Sequence, residues 1–205
     1  MLSTYYTPAQ SSSQVANDLR GLRFYERGEN IPLILAGLWQ VDKGVVQLSQ
    51  LTCLPGEEIL LGWAKPANFF GRHLTMIEAY QAKALTDVHL RWYPLEEITK
   101  SPNLSQVLLQ QLMMRMKQTE ALLAIAGLRL VEEKLQELLK LLKQELSESH
   151  PEGRRIIVRL THQNLASTIG TTRVTITRLL GEFQRQDWLK LDSDRHIIIL
   201  NSFFD

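Results

Sequence analysis

The chain has 205 residues, 44% of them apolar and 22% charged, which suits one or two folded domains with a real core and excludes a disordered chain. Its formal charge of +1 says nothing about a polyanionic partner, and its single cysteine, Cys53, excludes a disulfide framework, a four-cysteine zinc site and an all-cysteine iron–sulfur cluster. Apolar runs of only a few residues fall short of a membrane span, and the opening Met1-Leu2-Ser3-Thr4-Tyr5 lacks a basic region followed by an apolar stretch, so a cytoplasmic protein with no membrane partner is expected.

Residues 1–18 are polar and rich in Ser and Gln, and read as a tail that ends in a short helix. From about 21 to 98, short apolar runs alternate with turn residues. The runs include Ile31-Pro32-Leu33-Ile34-Leu35, Val45-Val46-Gln47-Leu48 and Glu58-Ile59-Leu60-Leu61-Gly62-Trp63. The breakers include Asp42-Lys43-Gly44 and Leu54-Pro55-Gly56-Glu57. Short strands at this spacing predict an antiparallel β sandwich or roll. Trp39, Trp63, Phe69 and Phe70 read as its core, Glu57-Glu58 as a solvated loop, and Glu96-Glu97 as the opening of a helix, where acidic side chains suit the dipole.

The texture changes at Ser101-Pro102-Asn103. From Leu104 to Leu146 there is no proline and one glycine, Gly127, and good helix formers dominate. The stretch is too long for one ordinary helix, so Gly127 predicts a break between helices near 103–126 and 128–147. In the first, Leu104, Val107, Leu108, Leu112, Met116, Leu122 and Ile125 recur mostly at three or four residues. That stripe is a candidate dimer seam; packing on the chain's own β layers is the alternative. His150-Pro151-Glu152-Gly153 ends the helical region, and Ile156-Ile157-Val158-Arg159-Leu160 reads as a strand. Two short helical patterns follow, then a hairpin of Trp188–Leu191 and His196–Leu200 around the polar turn Asp192-Ser193-Asp194-Arg195.

The informative segment is Thr161 to Leu180. Two helices crossing at a short turn need a small residue where their backbones approach, and Ala166 supplies it. The turn needs a residue that tolerates a left-handed backbone, and Gly170 supplies it. Leu165, Ile169, Ile176 and Leu179 fall on the faces that pack, and Thr172 can cap the second helix. This is a helix-turn-helix pattern. The outer side of the second helix, near its N-terminal end, carries Arg173, Val174, Thr177 and Arg178. That end enters the major groove in such motifs. Arginine there offers a fork of donors to guanine O6 and N7, and valine a contact to a thymine methyl. Thr171, Thr172, Thr175 and Thr177 are within reach of phosphates or bases. Thr161 and His162, at the entry of the first helix, complete the DNA-facing set. The charge split is small: residues 151–205 carry +2 and residues 1–100 carry −1, so local contacts and a dimer, rather than a large basic field, are expected to supply affinity.

This order of β domain, long helix and winged helix-turn-helix resembles the CRP/FNR superfamily of transcription regulators, from about residue 20 onward. Over Gly170-Thr171-Thr172-Arg173-Val174-Thr175-Ile176-Thr177-Arg178-Leu179-Leu180-Gly181 it is similar to the recognition helix of the cyanobacterial nitrogen regulators of the NtcA type. Arg115-Met116-Lys117-Gln118-Thr119-Glu120 also resembles the long helix of that branch. The resemblance implies an α+β fold: a cupin-like antiparallel β-roll (jelly roll) sensor over 1–100, a dimerisation helix over 101–127, and a winged helix-turn-helix over 128–205. It implies a homodimer on double-stranded DNA, with Leu104, Leu108, Leu112, Met116, Thr119, Leu122 and Ile125 in the seam. Arg173 would contact guanine and Val174 a thymine methyl, which favours a GTA...TAC palindrome. His150-Pro151-Glu152-Gly153 resembles the loop through which an activator of this family touches RNA polymerase. An effector would sit against Phe70, Gly71, Arg72, Arg115 and Glu120. The Gly-Glu and Arg-Ser pairs that hold a cyclic nucleotide are replaced here, which argues against cAMP. His73 stands alone, which argues against haem. 2-Oxoglutarate is the more serious named candidate, although one expected clamp position is occupied by Glu78, and an unnamed ligand or none stays the alternative. The scattered histidines, and the absence of a phosphate loop or nucleophile elbow, argue against an enzyme. The competing reading is a ligand-binding or protein-interaction module that has lost specific DNA readout.

Overall fold

The computed structural model describes residues 21–53 and 58–201. The expected tail over 1–18 and the turn Leu54-Pro55-Gly56-Glu57 lie outside the described residues.

Two four-stranded antiparallel sheets face each other. One runs β1 (Leu22–Tyr25), β8 (Val88–Pro94), β3 (Gly37–Lys43), β6 (Phe69–Phe70); the other runs β2 (Asn30–Ile31), β7 (Tyr80–Ala84), β4 (Val46–Leu51), β5 (Glu58–Ala64). Alternation dictates the interior. Val46 and Leu48 of β4, Trp39 and Val41 of β3, and Leu90 and Trp92 of β8 point between the sheets with Phe70, Ala82 and Ala84. The expected strand over Ile31–Leu35 is cut short after Ile31. Pro32 has no N–H to donate to a ladder, and its carbonyl instead accepts from Trp39 Nε1 at 2.8 Å. Glu58 is not in a solvated loop. It opens β5, and its carboxylate accepts from Gln47 and Ser49 at 2.8 Å and from Gln81 at 2.7 Å.

Glu96-Glu97 does lie in the first turn of a helix, α1 (Leu95–Lys100). Ser101 then caps α2 (Pro102–Gly127), accepting from the Leu104 N–H, with Pro102 in the first turn where its missing donor costs nothing. The break falls at Leu128-Arg129-Leu130, one residue beyond the expected glycine, and α3 (Val131–Glu145) follows. Leu135, Leu138, Leu139 and Leu142 form its buried stripe. Two short helices follow, α4 (His162–Ile169) and α5 (Arg173–Arg185). The C-terminal sheet has four strands, one more than the expected hairpin and preceding strand supply, in the order β11 (Leu189–Leu191), β12 (Ile197–Leu200), β10 (Gly153–Ile156), β9 (Ser147–His150). The strand expected over 156–160 therefore ends where it was expected to begin, because Gly153 to Arg155 are the residues that pair with β12.

The roll and the helical half share one core. Val45 and Trp63 from the roll are buried in the same cluster as Leu138, Leu142, Leu165, Ile176 and Phe183. Lys65 Nζ reaches Glu145 at the end of α3 at 2.7 Å. The tightest tie is at Gly62. Gln118 of α2 is buried, and its Oε1 accepts from Trp63 N–H at 2.9 Å and from Arg115 at 2.6 Å; Arg115 also donates to the Leu61 carbonyl at 2.8 Å. A Cβ on Gly62 would lie 1.9 Å from Arg115 Nη1 and 2.2 Å from Gln118 Oε1, on a backbone with φ +138°. The substitution Gly62→Ala is expected to break this tie and destabilise the chain by about 1–3 kcal/mol, read as a lower midpoint in urea unfolding.

Candidate nucleic-acid interface

The site begins with two caps and a turn. Thr161 Oγ1 accepts from Asn164 N–H at 3.1 Å, and Asn164 Oδ1 accepts from Thr161 N–H at 3.0 Å, a reciprocal capping box that starts α4. Gly170 ends it in a left-handed conformation (φ 68°, ψ 50°), where a side chain would be strained. Thr172 Oγ1 then accepts from Thr175 N–H at 3.2 Å and starts α5. Ala166 is fully buried near the crossing, and Thr171 N–H donates to its carbonyl at 3.0 Å. Ile176, Leu179, Leu180 and Phe183 form the buried side of α5.

The opposite side is open. Arg173, Val174, Thr177 and Arg178 are exposed, and Val174 is 79% exposed, an apolar side chain that nothing in the chain covers. Thr171 and Thr175 are half-buried between the two sides, and Thr172 is exposed. Arg178 Nη1 is held by Glu182 Oε1 at 2.6 Å, one helical turn away. Sequence reasoning missed Glu182, although its i,i+4 spacing was the available signal. His162 sits against α5, its Nδ1 2.8 Å from Thr177 Oγ1. Burial, with the neighbouring Arg173 guanidinium second, holds its imidazole below the ordinary histidine pKa. Between α4, α5 and the β11–β12 hairpin lies a groove of about 500 Å³ that also takes in Arg159 and Arg195, two cations the sequence reading passed over.

The long helix corrects part of the expected seam. Ile125 is only 6% exposed and belongs to the core shared with α3, so it cannot face a second copy. Leu108 packs on the Leu38–Phe69–Ile98 cluster, and Leu122 on the larger core. Leu104 is half-buried, while Leu112, Met116 and Thr119 are exposed. The unpartnered apolar positions include Leu109 (59% exposed), Met116 (63%) and Leu123 (71%), seven residues apart, with Leu112 and Thr119 between them. This is a heptad stripe one residue round the helix from Leu108 and Leu122.

The expected effector residues do not all converge. A cavity of about 220 Å³ between the roll and α2 is lined by Phe70 and Arg115, with Leu61, Tyr80, Leu112 and Thr119. Arg72 is turned to the Ile77 carbonyl, and Gly71, Arg72 and Glu120 do not line the cavity; Glu120 is exposed on α2 and unpaired with Arg115 within the chain. Burial pushes Tyr80 up to about 12, with Arg115 opposing. Burial likewise lowers Arg115, with Tyr80 opposing. At the β9–β10 hairpin, Glu152 is exposed and bonded to Lys190. Gly153, expected in the polymerase-facing loop, is instead buried in the sheet opposite Leu200. Among the described residues, no group of three or more His, Cys, Asp or Glu could hold a metal ion, and no helix is long and apolar enough to cross a membrane.

The family model for a Crp-like helix-turn-helix domain matches residues 133–202. The chain is 33% identical over 159 residues to the global nitrogen regulator of Synechocystis sp., covering 73% of this chain and 70% of that one. It is 34% identical over 151 residues to the regulatory protein CysR of Synechococcus elongatus, covering 72% and 69%. A solved CRP/FNR-family transcriptional regulator from Thermus thermophilus shares the fold, with a TM-score of 0.70 at 24% identity, covering 88% of this chain and 94% of that one. The chain belongs to the CRP/FNR family of DNA-binding transcription regulators.

The substitution Thr161→Ala removes the reciprocal cap of α4 and is expected to cost about 1 kcal/mol of stability, measured by urea unfolding with the helical signal as readout.

Proposed function

We propose that the chain acts as a homodimer whose two α5 helices read a palindrome of the GTA...TAC type in successive major grooves. The observation that carries this reading is the uncovered Arg173, Val174 and Arg178 face at the N-terminal end of a helix whose other side is fully buried. Arg173 is the guanine reader and Val174 the thymine-methyl contact. Thr171, Thr172, Thr175 and Thr177, with Thr161 and His162, position the backbone. Arg178 is oriented for the same step by Glu182. Such reading needs the exposed face of α2 to pair, with Leu109, Leu112, Met116, Thr119 and Leu123 as the seam.

The proposed effector seat is the cavity beside Arg115 and Tyr80. It supplies one guanidinium, enough for a single carboxylate of an acid such as 2-oxoglutarate, and lacks a second cation for its other carboxylate. RNA polymerase would be met by the tip His150-Pro151-Glu152 of the β9–β10 hairpin, where Pro151 and Glu152 are exposed.

A gel shift with a GTA...TAC duplex tests the readout, run with and without 2-oxoglutarate. Arg173→Ala is expected to lose about 1–3 kcal/mol per half-site and the preference over a scrambled duplex, with the fold intact by circular dichroism. Failure of the wild type to bind any duplex in either condition would favour the interaction-module reading. The seam is tested by sedimentation: Met116→Lys with Leu123→Lys is expected to weaken the dimer by about 3 kcal/mol or more and leave a folded monomer.

A further inference from the structure

The groove between α4, the start of α5 and the β11–β12 hairpin has an unusual electrostatic lining. Its charged members are Arg159, Arg173 and Arg195, with His162 beside them, and no carboxylate lines it. None of these three arginines makes an ion pair among the described residues. Other cations of the same half are neutralised: Arg155 by Glu148 and Asp192, Arg178 by Glu182, and Lys190 by Glu152. Arg195 also holds a left-handed backbone (φ 61°) in its turn, a conformation that a long side chain takes up uncommonly.

The hydrogen bonds around His162 determine which of its nitrogens is free. Thr177 Oγ1 donates its one proton to the Arg173 carbonyl at 2.9 Å. The tautomer that satisfies this bond and the 2.8 Å contact to His162 Nδ1 together has the proton on Nδ1 and leaves Nε2 bare. Burial first and the Arg173 guanidinium second disfavour the imidazolium in the free chain. Among the other groups on the surrounding elements, Asp192 is committed to Arg155, His196 Nδ1 lies 2.8 Å from the Ile156 carbonyl, and Asp194 does not line the groove.

We propose that this groove is a seat for a backbone phosphate of duplex DNA, held by Arg159 and Arg195 while Arg173 reads guanine, and that His162 becomes the seat's third cation only on binding, by taking up a proton at Nε2. The inference rests on the DNA-binding reading above and adds to it a site and a proton. A phosphate in the seat favours the imidazolium and raises its pKa above the free-state value. Affinity is then highest below the free-state pKa and is lost as pH rises through the bound-state pKa. Since phosphate carries no sequence information, the gain applies equally to any duplex.

Fluorescence anisotropy of the full chain tests this between pH 5.5 and 8.5, on a GTA...TAC duplex and a scrambled duplex of equal length. Wild-type affinity is expected to rise about tenfold from pH 8 to pH 6 on both duplexes. The slope of log affinity against log salt should steepen by about one for each chain protonated. His162→Gln, which keeps a donor toward Thr177 but cannot ionise, is expected to show no rise in affinity between pH 8 and pH 6. His162→Arg is expected to bind tightly and without pH dependence. A flat wild-type profile, or a pH dependence that survives in His162→Gln, overturns the proposal while leaving DNA binding in place. No wild-type binding to either duplex at any pH overturns the DNA reading and the seat with it.

Discussion

The underside of α5 is pinned by Ile176, Leu179, Leu180 and Phe183, all buried, with the Phe183 ring 5.2 Å from that of Trp188. Side chains of this size contribute about 1.5–3 kcal/mol each when fully buried. Their spacing of three, four and seven residues puts them on one side of the helix, so Val174 and Arg178 face outward, while Arg173, in line with Leu180, is exposed because it stands in the first turn, at the helix end. The two threonine caps and Gly170 set where each helix starts and stops, and hence which turn of α5 projects furthest. The uncovered surface of α5 is thus the remainder of a packing problem solved elsewhere.

That packing does not stop at the helix-turn-helix. Trp63 and Val45 carry the core into the outer face of the β-roll, and Lys65 ties the roll to the end of α3. Gln118 and Arg115 lock α2 to the backbone on either side of Gly62. The cavity beside Arg115 therefore shares a wall with the element that enters the common core. Close-packed interiors transmit small displacements rather than absorb them. Any ligand that acts on α5 from the roll has this contiguous path, and would have to prefer one arrangement of it over another to have an effect.

Much of this was legible from residue pattern. The short β runs, the texture change at Ser101-Pro102, the helix break near Gly127 and the Ala166–Gly170–Thr172 framework all rest on local chemistry, and the helices and strands formed there. The exposure of Val174 and Arg178 was readable for the same reason, being the complement of a periodic apolar stripe, and that of Arg173 from its place in the first turn of α5. The seam was legible only in part. Leu108, Leu122 and Ile125 share their helix and spacing with Leu109, Met116 and Leu123, and periodicity alone cannot say which of two adjacent stripes meets the chain's own core. The extra β9–β10 hairpin, the burial of Gly153 and the carboxylate of Glu58 escaped because each depends on a strand or side chain distant in sequence.

The amino-acid order by itself determined the class of fold, the Thr172 cap, the Gly170 turn and which side chains α5 leaves uncovered. These follow from propensities and periodicities that operate over a few residues. Only the tertiary structure decided which cations stay unpaired, that His162 meets Thr177, and that Arg115 spends donors on Leu61 and Gln118 rather than on Glu120. Those are matters of distance between segments separated by tens of residues. Charge and hydrogen-bond energies fall off so steeply with distance that an ångström of placement outweighs any pattern along the chain.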